Sequence, residues 1–142
     1  MLMIRKAVPS DLPTIRTFIE KTELDFVQEL IFILVEDEQR ELIGVVGIQE
    51  IQNIGLLRSL VLVPHFPVEK IVTFLESILQ IALKNNYKSL YLATNNKGSI
   101  RLFQLLGFME IEQQELPLEL KLSTAVEAFV EKSDIFFMWK TL

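Results

Sequence analysis

The sequence predicts a mixed α/β (α+β) fold: a central, mostly antiparallel sheet with flanking helices. Three observations predict it. Three apolar runs, "LIFILVED", "LIGVVGIQEI" and "GLLRSLVLV", follow one another across residues 30–63 with only "EQRE" and "QNI" between them. Connections that short suit antiparallel neighbours and leave no room for a crossover helix. After them the chain alternates segments of helical periodicity with short apolar runs. Its 142 residues, half of them apolar, are enough for a real core, and the expectation is a single domain over residues 1–142.

Each element has its own warrant. "MIRKAV" reads as a short strand. "PSDLPTIRTFIEKTEL" starts a helix with Ser10 or Asp11 as N-cap and Pro13 in the first turn, and Ile15, Phe18 and Ile19 share a face. The meander fills Ile31 to Val63, with "EQRE" and "QNIG" as its turns. Pro67 opens a helix in which Val68, Ile71, Val72, Leu75, Ile78, Leu79 and Ala82 recur at helical spacing, and Asn85 and Asn86 stop it. "KSLYLAT" is a strand. "NNKGSIRLFQLLGF" holds a short helix ended by Gly107. "FMEIEQQE" reads as a strand, "LPLELKLSTAVEAFVEK" as one or two helical turns or a crossover loop, and "IFFMWKTL" as a terminal strand. That last segment is either a core strand or the contact of a homodimer. The core reading is favoured, because one face must be buried anyway.

Composition excludes several function classes. The absence of cysteine removes disulfides and cysteine-ligated metals, and the single histidine removes a multi-histidine metal site within one chain. No apolar run reaches the roughly 18 residues that span a bilayer. The net charge of −5, without a basic cluster, argues against nucleic acid or an anionic membrane as the main partner. A cytoplasmic location is the expectation, since the N-terminus lacks the long apolar segment of a secretory signal.

The element order, together with "LRSLVLVPHF" and "NNKGSIRLFQLLGF", resembles the GNAT N-acetyltransferases. Two places carry the resemblance. One is a strand leading directly into a long helix. The other is the spacing of Asn96, Ser99, Phe103, Gly107 and Phe108. The stretch "LGFMEIEQQELPLEL" is also similar to members that acetylate free amino acids. The resemblance implies acetyl-CoA as co-substrate, held where two sheet strands splay apart. It places the pantetheine arm on the backbone of Leu60, Val61, Leu62 and Val63, with Asn96 and Phe103 as further contacts. It places the pyrophosphate at the turn that follows, where the family has a basic residue and glycines. Aligned on "VP", the basic position falls at Pro67 and the glycine positions at Val68, Lys70 and Val72, and none matches. β-Branched valines do not give the close approach that glycine allows. Pro67 lacks an N–H, and Glu69 repels phosphate. Lys70 and the amides of first-turn residues such as Ile71 offset part of that loss. Weakened affinity for the coenzyme follows.

The remaining candidates each carry two readings. Arg58 lies mid-strand and, by alternation, shares a face with Leu60 and Leu62. It is either a two-pronged clamp for a substrate carboxylate or in a salt bridge to Glu50 or another neighbour. His65 is a proton relay, a phosphate contact or an exposed loop residue. Phe103 stands where many family members place a tyrosine that protonates the leaving thiolate, which a phenylalanine cannot do, so core packing is its expected job. Asn96 either contacts pantetheine or caps the next helix. Glu50 and Glu110 are general-base candidates or solvated strand residues. No Ser-His-Asp set is visible, and Ser59 has no identifiable base. Two functions remain open. One is acetyl transfer to the amine of a small molecule, with amino acids among the candidates, by direct attack on a thioester polarised by a backbone N–H near Leu62. The other is a catalytically weakened or inactive GNAT-fold module that binds a ligand or serves regulation.

Overall fold

β1 (Met3–Lys6) pairs antiparallel with β2 (Ile31–Glu36), and β2 with β3 (Leu42–Ile51), in a computed structural model that describes residues 2–22, 26–27, 29–94, 97–130 and 135–142. β4 (Ile54–Leu62) follows β3 through the turn at Gln52 and Asn53, where Gln52 takes a φ of 55°. The meander is thus as the short connections predict. The remaining elements are α1 (Leu12–Glu20), α2 (Ile71–Lys84), β5 (Ser89–Thr94), α3 (Lys97–Leu105), β6 (Met109–Ile111), α4 (Leu118–Lys121), α5 (Thr124–Val130) and β7 (Phe136–Thr141). The seven strands run in the order β1-β2-β3-β4-β5-β7-β6. This is the mixed α/β class, with a mostly antiparallel sheet and flanking helices. None of the helices among the described residues is long and apolar enough to cross a membrane.

The residues form two compact units, Met1–Gln49 with Leu57–Gln80, and Glu50–Leu56 with Ile81–Leu142. In the first, both sheet faces are covered. On one face Ile15 and Ile19 of α1 pack with Phe32, Leu34, Val45 and Val61. On the other, Phe66 and Phe74 place their rings 6.2 Å apart. Gly44 lies beneath Phe66. A Cβ there would sit 2.9 Å from Leu62 Cδ2 and 3.3 Å from Phe66 Cε2, so the close approach of these side chains to β3 requires a glycine. In the second unit, Ile54, Leu56, Tyr91 and Phe137 meet Leu116, Leu120, Ala125 and Val126 from the helical segment. β7 pairs with β5 along its whole length, and Phe137 and Met138 are buried, so "IFFMWKTL" is a core strand.

Asp11 is the N-cap residue of α1, as expected, but its side chain makes no capping bond to that helix. A 3-10 turn (Pro9–Asp11) precedes the helix. The Asp11 carboxylate turns back to accept the Val8 N–H at 2.7 Å and both Arg5 Nη1 and Nη2 at 2.8 Å. Arg5 Nε donates to Glu36 at 2.8 Å, tying β1, β2 and the helix start together. A bidentate guanidinium pair is a better use of this carboxylate than a cap alone. The Arg5 guanidinium holds the Asp11 carboxyl down at about 2 and is itself raised by Asp11 and Glu36. A carboxyl depressed in the folded state stabilises the fold above its unfolded pKa of roughly 4. That stability disappears as pH falls toward 2. The pair is partly solvated, which reduces it to about 1–2 kcal/mol. Urea unfolding of the wild type should therefore lose about 1–2 kcal/mol more than Asp11→Asn between about pH 5 and pH 2. Parallel pH profiles would show that the pair contributes nothing.

"FMEIEQQE" is shorter as a strand than its length suggests. Only Met109–Ile111 pairs with β7, and Gln113–Glu115 closes into a 3-10 turn. Four acidic residues from Glu110 to Glu119 favour solvent over a paired edge. The end of α3 follows its predicted stop. Gly107 has a φ of 95°; its N–H donates to Gln104 O and that of Phe108 to Phe103 O, both at 3.0 Å. Phe103 and Phe108 meet edge-to-face at 5.4 Å. This is a Schellman cap with its hydrophobic contact.

Candidate functional site

β4 and the turn into α2 hold most of the predicted residues, all in the first unit. The strand is not regular. Ser59 has a φ of 56°, a left-handed conformation in a serine, which shifts the side-chain alternation by one residue. Beyond it, Val61 joins the α1-side cluster while Leu62 reaches the face of Gly44 and Phe66. Arg58 therefore does not share a face with Leu62, as simple alternation predicts. Its Nη1 donates to Gln49 Oε1 at 2.8 Å. Gln49 follows Val45 and Gly47 at period two, so the guanidinium lies on the α1 side. The amide of Gln49 is thus a partner that the sequence did not suggest.

The backbone after the shift is set by one bond. The Val63 N–H donates to Ile43 O at 3.0 Å, so it points toward β3. Successive amides of a strand point to opposite edges, which directs the Leu62 N–H away from β3. Leu60 is 40% exposed. The Phe66 N–H then closes a turn onto Val63 O at 3.0 Å, and the Phe66 ring is buried against Phe74.

Pro67 (φ −61°, ψ 115°) precedes a 3-10 turn over Val68–Lys70 that leads into α2. The Lys70 N–H donates to Pro67 O at 2.9 Å and the Ile71 N–H to Val68 O. These two amides are consumed by the turn. The amides of Val68 and Glu69 lie ahead of its first bond, where helix geometry leaves N–H groups without an internal acceptor. Val68 is 77% exposed and Val72 38% exposed. Glu69, Lys70 and His65 are exposed, and Ile71 is half-buried.

The other candidates belong to the second unit. Phe103 is buried in the α3 cap described above. Glu50 is exposed at the end of β3 and Glu110 is exposed on β6. Glu110 lines an open cavity of about 730 Å³ with Glu112, Glu115, Phe136 and Trp139. Asn96 lies outside the described residues. Periodicity gives no sign of two features. One is the Ser59 distortion, which has no glycine to announce it. The other is Tyr87, whose buried hydroxyl has no hydrogen-bond partner among the described residues. Burial, with Glu50 nearby, pushes that phenol up. Among the described residues no group of three or more acidic or histidine side chains is placed to hold a metal.

The chain belongs to the acetyltransferase (GNAT) family, whose model matches residues 5–108. It is 31% identical over 114 residues to YwlB of Bacillus subtilis (strain 168), an uncharacterized protein, across 77% of this chain and 78% of that one. Among solved structures it is similar to Rv2747 of Mycobacterium tuberculosis in complex with CoA, with TM-score 0.76 and 19% identity over 99% of both chains. It is equally similar to N-acetylglutamate synthase of Neisseria gonorrhoeae complexed with coenzyme A and N-acetyl-glutamate. There the TM-score is 0.76 and the identity 20%, over 100% of this chain and 35% of that one.

Proposed function

We propose that the chain transfers an acetyl group from acetyl-CoA to the amine of a small molecule, with amino acids as the preferred acceptors. Family membership supports the reaction class. The two coenzyme A complexes of the same fold, one holding N-acetyl-glutamate, lend support to donor and acceptor. The observation that carries the reading is the Val63–Ile43 bond, because it turns the Leu62 N–H away from β3.

Acetyl-CoA supplies the acyl group as a thioester. The backbone of Leu60 to Leu62 suits its arm, since extended N–H and C=O groups match the amides of pantetheine. The Leu62 N–H would donate to the acyl oxygen, which becomes more negative as the amine attacks, so the bond strengthens toward the transition state. The C–N bond forms, the C–S bond breaks, the thiolate leaves, and the amine proton passes to water. Phe103 gives no proton, because it has no hydroxyl and its ring is buried. Glu50, Glu110 and His65 are exposed, and none of them is assigned as the base. Positioning of the two substrates would therefore supply much of the rate.

The test is release of free thiol from acetyl-CoA with a panel of amino acids and polyamines, alongside thermal melting. Ligand at a hundred times its dissociation constant should stabilise the fold by about 2.7 kcal/mol. The expected result is amine-dependent thiol release, greatest with amino acids. No melting shift at millimolar acetyl-CoA and no thiol release would instead favour a binding module. The solvent-facing Val68, where the family has glycine, is the feature that favours that second reading.

A further inference from the structure

We propose that the donor is recognised by its pantetheine arm and not by its nucleotide, so that S-acyl-pantetheine thioesters without the adenosine diphosphate are substrates of the same site. The proposal rests on the acetyl-transfer reading and specifies its donor class. A helix N-terminus following a strand is a natural phosphate site because its free amides and dipole face the anion. The start of α2 has lost most of what makes it one. Pro67 has no N–H to give. The next available amides are only those of Val68 and Glu69, because Lys70 and Ile71 donate within the turn.

The surface of this turn is also wrong for an anion. Val68 presents a branched hydrocarbon that is 77% exposed, and Val72, one helical turn on, is 38% exposed. A phosphate brought against them would shed water without gaining a donor. Glu69 and Lys70 are adjacent and exposed, so the turn carries no net positive charge to attract a pyrophosphate. The strand before the turn is different in kind. Its contribution is backbone, and the Val63–Ile43 bond directs the Leu62 amide away from β3. Neutral amide recognition therefore survives where anion recognition does not. A turn able to form several charge-assisted bonds would favour the full coenzyme by about a thousandfold, at roughly tenfold per bond. Without them the preference should shrink to about tenfold or less.

The experiment compares kcat/KM for acetyl-CoA and S-acetyl-pantetheine on the full chain, with the best amine of the panel, at low and at high salt. The expected result is values within about tenfold of one another, with little salt dependence in the ratio, since the turn offers the nucleotide no net charge to be screened. A preference for acetyl-CoA above about a hundredfold that falls with salt would overturn the proposal while leaving acetyl transfer standing. Thiol release from neither donor would overturn acetyl transfer itself and the proposal with it.

Discussion

Replacing Phe74 by alanine should destabilise the chain by about 3–5 kcal/mol. The side chain is fully buried, and its ring lies 6.2 Å from that of Phe66 at an interplanar angle of 40°. Removing it takes away a large apolar transfer term and leaves a cavity that the surrounding side chains fill only in part. Phe66 is the residue least able to follow. Its ring already sits 3.3 Å from where a Gly44 Cβ would be, and its N–H is held by Val63 O. The whole effect is a sizeable part of the roughly 5–15 kcal/mol that a domain of this kind commands. Urea unfolding of Phe74→Ala should show it, and Phe74→Leu should lose less, since it leaves a smaller cavity. A loss below about 1 kcal/mol in the alanine variant would mean that Phe66 and the turn are anchored elsewhere.

The helix that carries Phe74 is legible in the sequence, because Val68, Ile71, Leu75, Ile78 and Ala82 recur at the helical period around it. Its stop is legible too, and Asn86 does take the left-handed angle that ends the helix. The strand Leu42–Ile51 matches the run "LIGVVGIQEI" residue for residue. These features are local, and local pattern fixes them. Gly107 is of the same kind: a left-handed stop that glycine accommodates best. It also gives the spacing Phe103, Gly107, Phe108 a structural reason, since two hydrogen bonds and one aromatic contact close the helix there. That part of the family pattern serves the cap whether or not Phe103 touches a ligand.

What could not be read depends on contacts distant in the chain. β7 is last in sequence yet lies between β5 and β6, and nothing in "IFFMWKTL" specifies its neighbours. The end of β6 at Ile111 is set by the 3-10 turn over Gln113–Glu115 that follows it. Ser59 is the most consequential case. Serine gives no sign of a positive φ, so a strand that reads as regular changes face in its middle. The residues of the proposed site were nameable from the sequence, but the side of the sheet that each one serves was not.

Arg58→Ala should reduce kcat/KM for amino-acid acceptors by about a hundredfold and leave simple amines within about threefold. The face change at Ser59 places the guanidinium on the α1 side, away from Leu62, while Gln49 Oε1 holds one of its nitrogens at 2.8 Å. An amide partner orients the planar fork, whose edge presents two parallel N–H groups. A clamp of that kind recognises a carboxylate by two parallel bonds, which lysine cannot reproduce, so Arg58→Lys should recover only part of the loss. Separate readouts keep a structural role apart from a recognition role. If Arg58 only braces β3 against β4 through Gln49, both classes of amine decline together and the urea midpoint falls. If it selects the acceptor, KM rises for carboxylated amines alone while kcat for the simple amines and the unfolding free energy stay near the wild type. Equal loss for both amine classes would reject the clamp, and with it the reason to prefer amino acids over polyamines as acceptors.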